Sequence, residues 1–303
     1  FCSTVNVIIQ AGATPVLVDI DLKDYNLDPR LVEGAITEKT KAIMAVHYGG
    51  QPCQLDEISS LISNKDIVLI EDAAHAAGST YKSRQIGGIG DFTVFSFYAN
   101  KNLTCGEGGI VTTNDEDLSE LIRLLTLHGI NKDAWGRYKK GGSWYYEVSQ
   151  LGYKYNLSDI HAAIAIQQLK KLDGFNQRRQ EIAEIYNERF TELDEIVIPY
   201  VRPDVGHSWH LYAIGLCLDK LTIDRAEFID LLADRGVGAS VHFIPIHYHP
   251  WYQGHLNYSQ GDFPNTEHVY NCLISLPIYP LLSDDQVDRV SESVIDIVKD
   301  HRL

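Results

Sequence analysis

Short apolar runs, each closing on a polar residue, recur through the first 112 residues of the chain. Val16-Leu17-Val18 closes on Asp19, Ala42-Ile43-Met44-Ala45-Val46 on His47, and Ile67-Val68-Leu69-Ile70 on Glu71-Asp72. Phe92-Thr93-Val94-Phe95-Ser96-Phe97 leads to Tyr98, and Gly109-Ile110-Val111-Thr112 follows. Continuous runs of this length suit strands buried on both faces. Helical spacing lies between some of them, from Leu31 to Ile36 and from Leu55 to Ile62. Strand and helix in alternation predict βαβ units, an α/β fold and a mostly parallel sheet. Ligands of such sheets sit beyond the carboxyl ends of the strands, so the residues that close these runs are where chemistry is sought first.

The second half has a different texture. Ser158 is placed to cap a helix carrying Ile160, Ile164 and Leu172, with Gly174 interrupting it before Phe175, Ile182, Tyr186 and Phe190 continue a helical pattern. A strand over 211–216 and another through Ser240-Val241-His242-Phe243 flank a helix that opens on Asp224, with Glu227 completing a capping box, and ends at Gly236. A last helix opens on Ser283 with Gln286 at its third position and repeats Val287, Val290, Val294 and Ile297. At 303 residues the chain is long enough for about two domains. The expectation is a large domain over 1–172 and a smaller α+β domain over 173–303. Phe1-Cys2-Ser3-Thr4-Val5-Asn6-Val7-Ile8-Ile9 reads like the interior of a domain, so further elements are expected upstream.

Charge narrows the partners. Lysine and arginine number 26 against 41 acidic residues, a net charge of −15, which disfavours nucleic acid or an acidic membrane surface as partner. No apolar run approaches the roughly 18 residues of a membrane helix. Five cysteines stand apart without CxxC spacing, as in a reduced cytoplasmic protein. His247 and His249, in HYHP, read as polar pocket or surface residues rather than metal ligands, and no metal is expected.

Asp72 closes one apolar run, and Lys101 lies 29 residues further on, just past another. On one sheet edge they meet the two needs of a pyridoxal phosphate site. The ring nitrogen of that cofactor needs a carboxylate beside it to keep its proton, and its aldehyde needs a lysine amine. Ser96 is placed to donate to the phosphate, and Gly106-Glu107-Gly108-Gly109 allows close backbone approach.

These residues carry a resemblance. Glu71-Asp72-Ala73-Ala74-His75-Ala76 resembles the EDAA[HQ]A motif of the DegT/StrS sugar aminotransferases, a fold-type-I pyridoxal phosphate family. Phe95 to Asn102 with Gly106 to Gly109 is similar to that family's FSFxxxKN…GEGG signature. Gly12 to Asp21, Thr40 to Ile43, and Gly152-Tyr153-Lys154-Tyr155-Asn156 with Ala162-Ala163-Ile164 match it as well, so the similarity runs along nearly the whole chain. The resemblance implies that Lys101 bonds to the cofactor, Asp72 pairs with its ring nitrogen, His75 lies near its phenolic oxygen, Ser96 binds its phosphate and Phe1 stacks on its ring. It also implies a homodimer with shared active sites, in which Lys154 or Asn156 of the neighbouring subunit reaches the phosphate. The family's Gly-(Ser/Thr)-x-Ala segment, which holds the phosphate, would precede Phe1.

The activity implied is transfer of an amine from glutamate to a nucleotide-linked 4-keto sugar, UDP-linked in the branch most similar to this chain, for amino-sugar and cell-surface polysaccharide synthesis. A lysine at position 101 favours amine transfer over the family's dehydratase branch, which carries histidine there. His242, His47 and Tyr48 are candidates to face the substrate. Tyr248, Trp251 and Tyr252 read as packing residues, and the stretch from Lys132 through Arg137, Lys139 and Lys140 to Trp144 as a loop near the substrate. Two other readings stay open: a lyase or desulfurase of the same fold type, which lacks the FSFYANKN context, and a non-catalytic or regulatory homologue, which has no need to keep both Asp72 and Lys101.

Overall fold

The computed structural model describes residues 1–131 and 145–303, so the basic loop from Lys132 to Trp144 lies outside the described residues. Helix α1 (Cys2–Gln10) leads through an irregular segment to α2 (Pro29–Ala35), β1 (Ala42–Val46), α3 (Leu55–Ile62) and β2 (Val68–Asp72). The short pair β3 (Thr80–Tyr81) and β4 (Arg84–Gln85) precedes β5 (Phe92–Ser96) and β6 (Gly109–Thr112). The helices α4 (Glu116–Thr126), α5 (Asp159–Leu169) and α6 (Leu172–Phe190) follow. Last come β7 (Ile196–Val197), β8 (Val205–Gly206), β9 (Tyr212–Leu216), α7 (Arg225–Asp234), α8 (Pro250–Gln253), α9 (Pro264–Cys272), β10 (Leu273–Leu276) and α10 (Asp284–His301).

The first sheet has the order β1-β2-β5-β6, parallel across its first two pairs and antiparallel between β5 and β6. The mostly parallel sheet of an α/β protein is therefore present. Its core joins Ile43, Ala45 and Leu69 of the strands to Val32 of α2 and to Leu55, Ile58 and Ile62 of α3. Those three α3 residues recur at helical spacing and leave one stripe facing the sheet. Fully burying each such side chain is worth about 1.5–3 kcal/mol.

A second core forms around α6, α7 and α10 against the antiparallel sheet β10-β9-β7. Ile182, Tyr186 and Phe190 of α6 meet Val287, Val294 and Ile297 of α10 there. Both capping boxes form: Asp224 with Glu227 opens α7, and Ser283 with Gln286 opens α10. Helix α6 starts in a third, smaller cluster, where its first residue, Leu172, packs with Ala77 and Leu103, and its later turns enter the second core.

Three local expectations are corrected. Residues 16–18 form no strand: the N–H of Leu17 donates to the Tyr258 hydroxyl at 3.0 Å, and Asp19 accepts the N–H groups of Asn265 and Thr266 at the start of α9. Residues 240–243 form only one bridge, Ser240 to Ser275. The His242 carbonyl accepts from the Tyr48 hydroxyl at 2.8 Å instead of from a neighbouring strand. Gly174 interrupts nothing. The break falls at Lys170–Lys171, and α6 runs through the glycine, whose cost of about 1 kcal/mol is small beside the apolar face that the helix buries.

Candidate active site

Val46, Asp72 and Val94 lie side by side in register, so β1, β2 and β5 end on one edge of the sheet. Asp72 is half-buried there. Its Oδ1 accepts the N–H of Ala74 at 3.1 Å, and its Oδ2 accepts the Thr4 hydroxyl of α1 at 2.7 Å. A carboxylate offers about four acceptor positions, so capacity remains for a further donor. Lys101 sits in the turn after β5, its N–H donating to the Tyr98 carbonyl at 3.0 Å. Burial lowers the pKa of its amine, while the Asp72 charge acts in the opposite sense. Burial prevails, which enlarges the neutral, nucleophilic fraction of the amine. The half-buried Ser96 hydroxyl accepts the N–H of Tyr98 at 3.3 Å, and its own proton faces no acceptor among the described residues. Gly106 takes φ +86, a left-handed conformation that suits glycine.

Imidazoles and aromatic rings gather beside this edge. The His75 ring lies 4.3 Å from that of His210 and 6.1 Å from Phe243, and Phe1, largely exposed, lies 5.2 Å from Phe243. His242 is half-buried and shares a 2.9 Å hydrogen bond with the Ser275 hydroxyl. Burial lowers the pKa of His75, His210 and His242, and the Lys101 cation adds to the effect on each. One amine therefore acts on all three rings. Asp72, His75, Ser96 and Lys101 gather at this edge, with His242 and Phe1 nearby. Tyr48 reaches it through the bond to His242.

Other candidates lie elsewhere. His47 is fully buried: its Nδ1 accepts the N–H of Cys53 at 3.0 Å, and its Nε2 faces Glu71 Oε2 at 2.9 Å. Both ring nitrogens are used inside the fold, so the pocket role expected from its strand-end position is not where the structure puts it. Burial acts to raise the Glu71 pKa, yet hydrogen bonds from His47, Gly90 and Thr93 hold it below the usual value. Lys154 and Asn156 are exposed and bond to each other, beside the stacked rings of Tyr153 and Tyr155. His247 bonds Glu267 at 2.8 Å, and no group of three metal-ligating side chains occurs among the described residues. Tyr252 ties α8 to α1, donating to Asn6 Oδ1 at 2.5 Å. Trp209 is buried in the second core.

Thr4, Asn102, His210 and Phe243 belong to the site without having been singled out. Asn102 stood inside a segment matching the family, but Thr4 carried no local signal because its contact with Asp72 spans 68 residues. The donor set fits a pyridine ring bearing an aldehyde and a phosphate. A carboxylate keeps acceptor capacity, a half-buried amine is shifted toward neutrality, a hydroxyl stands at the adjacent strand end, and His75 Nε2 has no partner among the described residues.

Comparison with known proteins places this geometry. Residues 1–295 match the model of the DegT/DnrJ/EryC1/StrS aminotransferase family. The chain is 50% identical over 300 residues to the spore coat polysaccharide biosynthesis protein SpsC of Bacillus subtilis, spanning 99% of this chain and 77% of that protein. Among solved structures, Spr1654 of Streptococcus pneumoniae, provisionally described as a sugar aminotransferase and solved in its PMP form, superposes with a TM-score of 0.92 at 33% identity. The match covers 99% of this chain and 80% of that one. PseC of Helicobacter pylori, an aminotransferase involved in the biosynthesis of pseudoaminic acid, gives 0.89 at 30% identity, covering 99% and 78%.

Proposed function

The chain belongs to the DegT/DnrJ/EryC1/StrS aminotransferase family, and on that basis we propose that it is a pyridoxal phosphate enzyme that transfers the amine of glutamate to a nucleotide-linked 4-keto sugar, UDP-linked, for cell-surface polysaccharide. The observation that carries this reading is the pairing of Asp72 and Lys101 at one sheet edge, the acid held by two donors and the amine shifted by burial toward its neutral form. The SpsC and PseC likenesses support a sugar acceptor used in polysaccharide or sugar-acid synthesis.

When bound, pyridoxal phosphate supplies an aldehyde that takes up an amine and a ring that stores the electrons left when a proton departs from carbon. Lys101 would hold the group through its amine, and its Nζ is placed to take a proton from the donor carbon and to give one to the sugar carbon in the reverse half. Asp72 would pair with the ring nitrogen and favour its protonated form, Ser96 would bind the phosphate, His75 would meet the phenolic oxygen and Phe1 would cover the ring. His242 and Tyr48 stand on the side from which substrate would enter.

The chain works as a homodimer on this reading, with Lys154 or Asn156 of a second copy reaching the phosphate. Helix α5 supports it: the helix carries Ile160, Ile164, Ile166 and Leu169, yet none of its residues is buried. Leu151 is 93% exposed as well. Large apolar side chains left exposed in this number suit a surface that a protein partner covers. Residues 1–172 would then form the cofactor-holding domain and 173–303 the smaller C-terminal domain.

The test is a panel of 4-keto sugars linked to UDP, dTDP and GDP, with glutamate as donor and 2-oxoglutarate release as readout. Turnover greatest with a UDP sugar is expected. Turnover only with dTDP or GDP sugars would correct the nucleotide, and no turnover with any, in protein that binds the cofactor, would overturn the activity.

A further inference from the structure

Two histidines beside Lys101 have their proton positions dictated by neighbours that allow no alternative. His75 is only 8% exposed, and the N–H of Gly49 donates to its Nδ1 at 3.3 Å. A backbone amide can only donate, so Nδ1 carries a lone pair and the ring proton sits on Nε2. Gly49 takes φ +63, a bend that glycine allows. Asn102, next to Lys101, is equally constrained. Its Nδ2 donates to the Ser208 carbonyl at 2.7 Å and to Asn176 Oδ1 at 2.9 Å. A carbonyl only accepts, so the amide has one orientation, and Asn102 Oδ1 faces His210 Nδ1 at 3.1 Å. His210 therefore carries its proton on Nδ1.

The two rings meet at 4.3 Å with 37° between their planes, so His210 forms a wall along one side of His75. The backbone behind His75 is tied as well, its carbonyl accepting the Ser208 hydroxyl at 2.9 Å. Ser208 thus holds both the loop that carries His75 and the amide that orients His210. Among the described residues nothing takes up His75 Nε2, although the side chain is more than nine-tenths buried. Nε2 is not among the fully buried polar atoms that lack a partner, so it opens to the cleft, where its N–H can meet an acceptor.

We propose that His75 acts as a neutral donor through Nε2–H into the cleft, and that Asn102 and His210 are the positioning residues that hold its ring. A neutral donor can stabilise a negatively charged oxygen without placing a second cation beside the Lys101 amine. That the oxygen belongs to pyridoxal phosphate rests on the proposed function, whereas the tautomer does not.

Long-range proton–nitrogen correlation spectra of the imidazoles, recorded on protein stripped of cofactor, read the tautomers directly. His75→Gln and His210→Phe each remove one signal and so assign them. The expected pattern is Nε2–H for His75 and Nδ1–H for His210, and an Nδ1–H, cationic or averaged pattern for His75 overturns the inference. His210→Ala should let the His75 ring swing away from the Gly49 N–H and average between tautomers, and His210→Phe, which restores a ring wall, should fix it again. An unchanged His75 in a folded His210→Ala protein removes His210 from the positioning role. Asn102→Ala gives an independent reading, because His210 should then average, and a fixed His210 would remove Asn102. In loaded protein, His75→Leu should hold the cofactor roughly tenfold more weakly and His75→Gln should recover it. A cofactor band that forms while the tautomer fails leaves the function standing and overturns this inference. The tautomer found in protein that binds no cofactor supports the inference and overturns the function.

Discussion

Asp72→Asn separates charge from shape at the centre of the site. The amide oxygen can still accept the N–H of Ala74, now held at 3.1 Å, and the Thr4 hydroxyl, now 2.7 Å from Oδ2, can rotate to accept from the new amide. Asp72 is half-buried at a strand end and not in either apolar core, so no cavity follows. The stability cost should therefore stay within about 1 kcal/mol. The functional cost is the lost attraction between a carboxylate and a ring cation. At contact range in a partly buried cleft, with an effective dielectric constant of about 20, that is about 4 kcal/mol, or roughly a thousandfold in rate. The assay is turnover at saturating cofactor alongside a urea melt. A cofactor methylated on its ring nitrogen, whose charge cannot be lost, should recover part of the rate in the variant. A variant with an unchanged melt and near-normal turnover would refute the reasoning and leave Asp72 a purely structural cap. Loss that the methylated cofactor does not relieve would show that geometry and not charge is what Asp72 contributes.

Lys101→Ala should abolish both turnover and the yellow band that borohydride removes, while the melt stays near wild type; retained turnover would overturn its role. His47→Leu leaves the buried Glu71 carboxylate with only Thr93 and Gly90 as donors and should cost about 3–5 kcal/mol in a urea melt, against little loss if the pair is unimportant. Burial lowers the pKa of His75, His207 and His210 in the folded chain, that of His207 to about 3. Below about 6.5 the unfolded chain takes protons that these rings refuse, so stability is full above that pH and falls beneath it by about 1.4 kcal/mol per unit for each ring; a flat profile between pH 6.5 and 5 contradicts this. Ile160→Glu with Leu151→Glu should halve the mass seen by light scattering, and a wild-type protein already monomeric at working concentration would remove the shared-site proposal.

What the sequence reveals here is what is decided locally. β1, β2 and β5 announce themselves because their largely apolar runs stand out from the polar residues that follow them, at His47, Glu71-Asp72 and Ser96. The capping boxes at Asp224 and Ser283 are legible because donor and acceptor lie three residues apart. Where a partner is distant, the pattern fails. Val16-Leu17-Val18 has strand composition but finds Tyr258 instead of a neighbouring strand, and Ser240 to Phe243 pairs at a single residue. His47 shows the same limit in the site: a polar residue at a strand end can point into a cleft or back into the fold, and the choice was made by Glu71, 24 residues away. Thr4 and His210 were hidden for this reason too. Their roles lie in contacts with Asp72 and Asn102, and a threonine on a helix or a histidine beside a tryptophan gives no sign of such a partner.

The site faces two demands that oppose each other. An acid at Asp72 raises the pKa of any amine nearby, yet Lys101 has to lose its proton to act as a nucleophile. Desolvation is the larger influence on Lys101, and it outweighs the pull of Asp72. Carboxylates in place of His75, His210 and His242 would raise the Lys101 pKa again, and hydrated side chains would bring water nearer to it. Three imidazoles with depressed pKa values lie within the reach of the amine's charge, as polar groups that carry no charge at neutral pH. Such groups can donate or accept at fixed positions without adding to the field. The negative charge is thereby confined to Asp72 on the sheet edge, where α1 and the Ala74 amide hold it. On this argument, replacing His210 by Asp should silence the enzyme more thoroughly than replacing it by Phe, because the carboxylate would raise the Lys101 pKa as well as remove the wall beside His75.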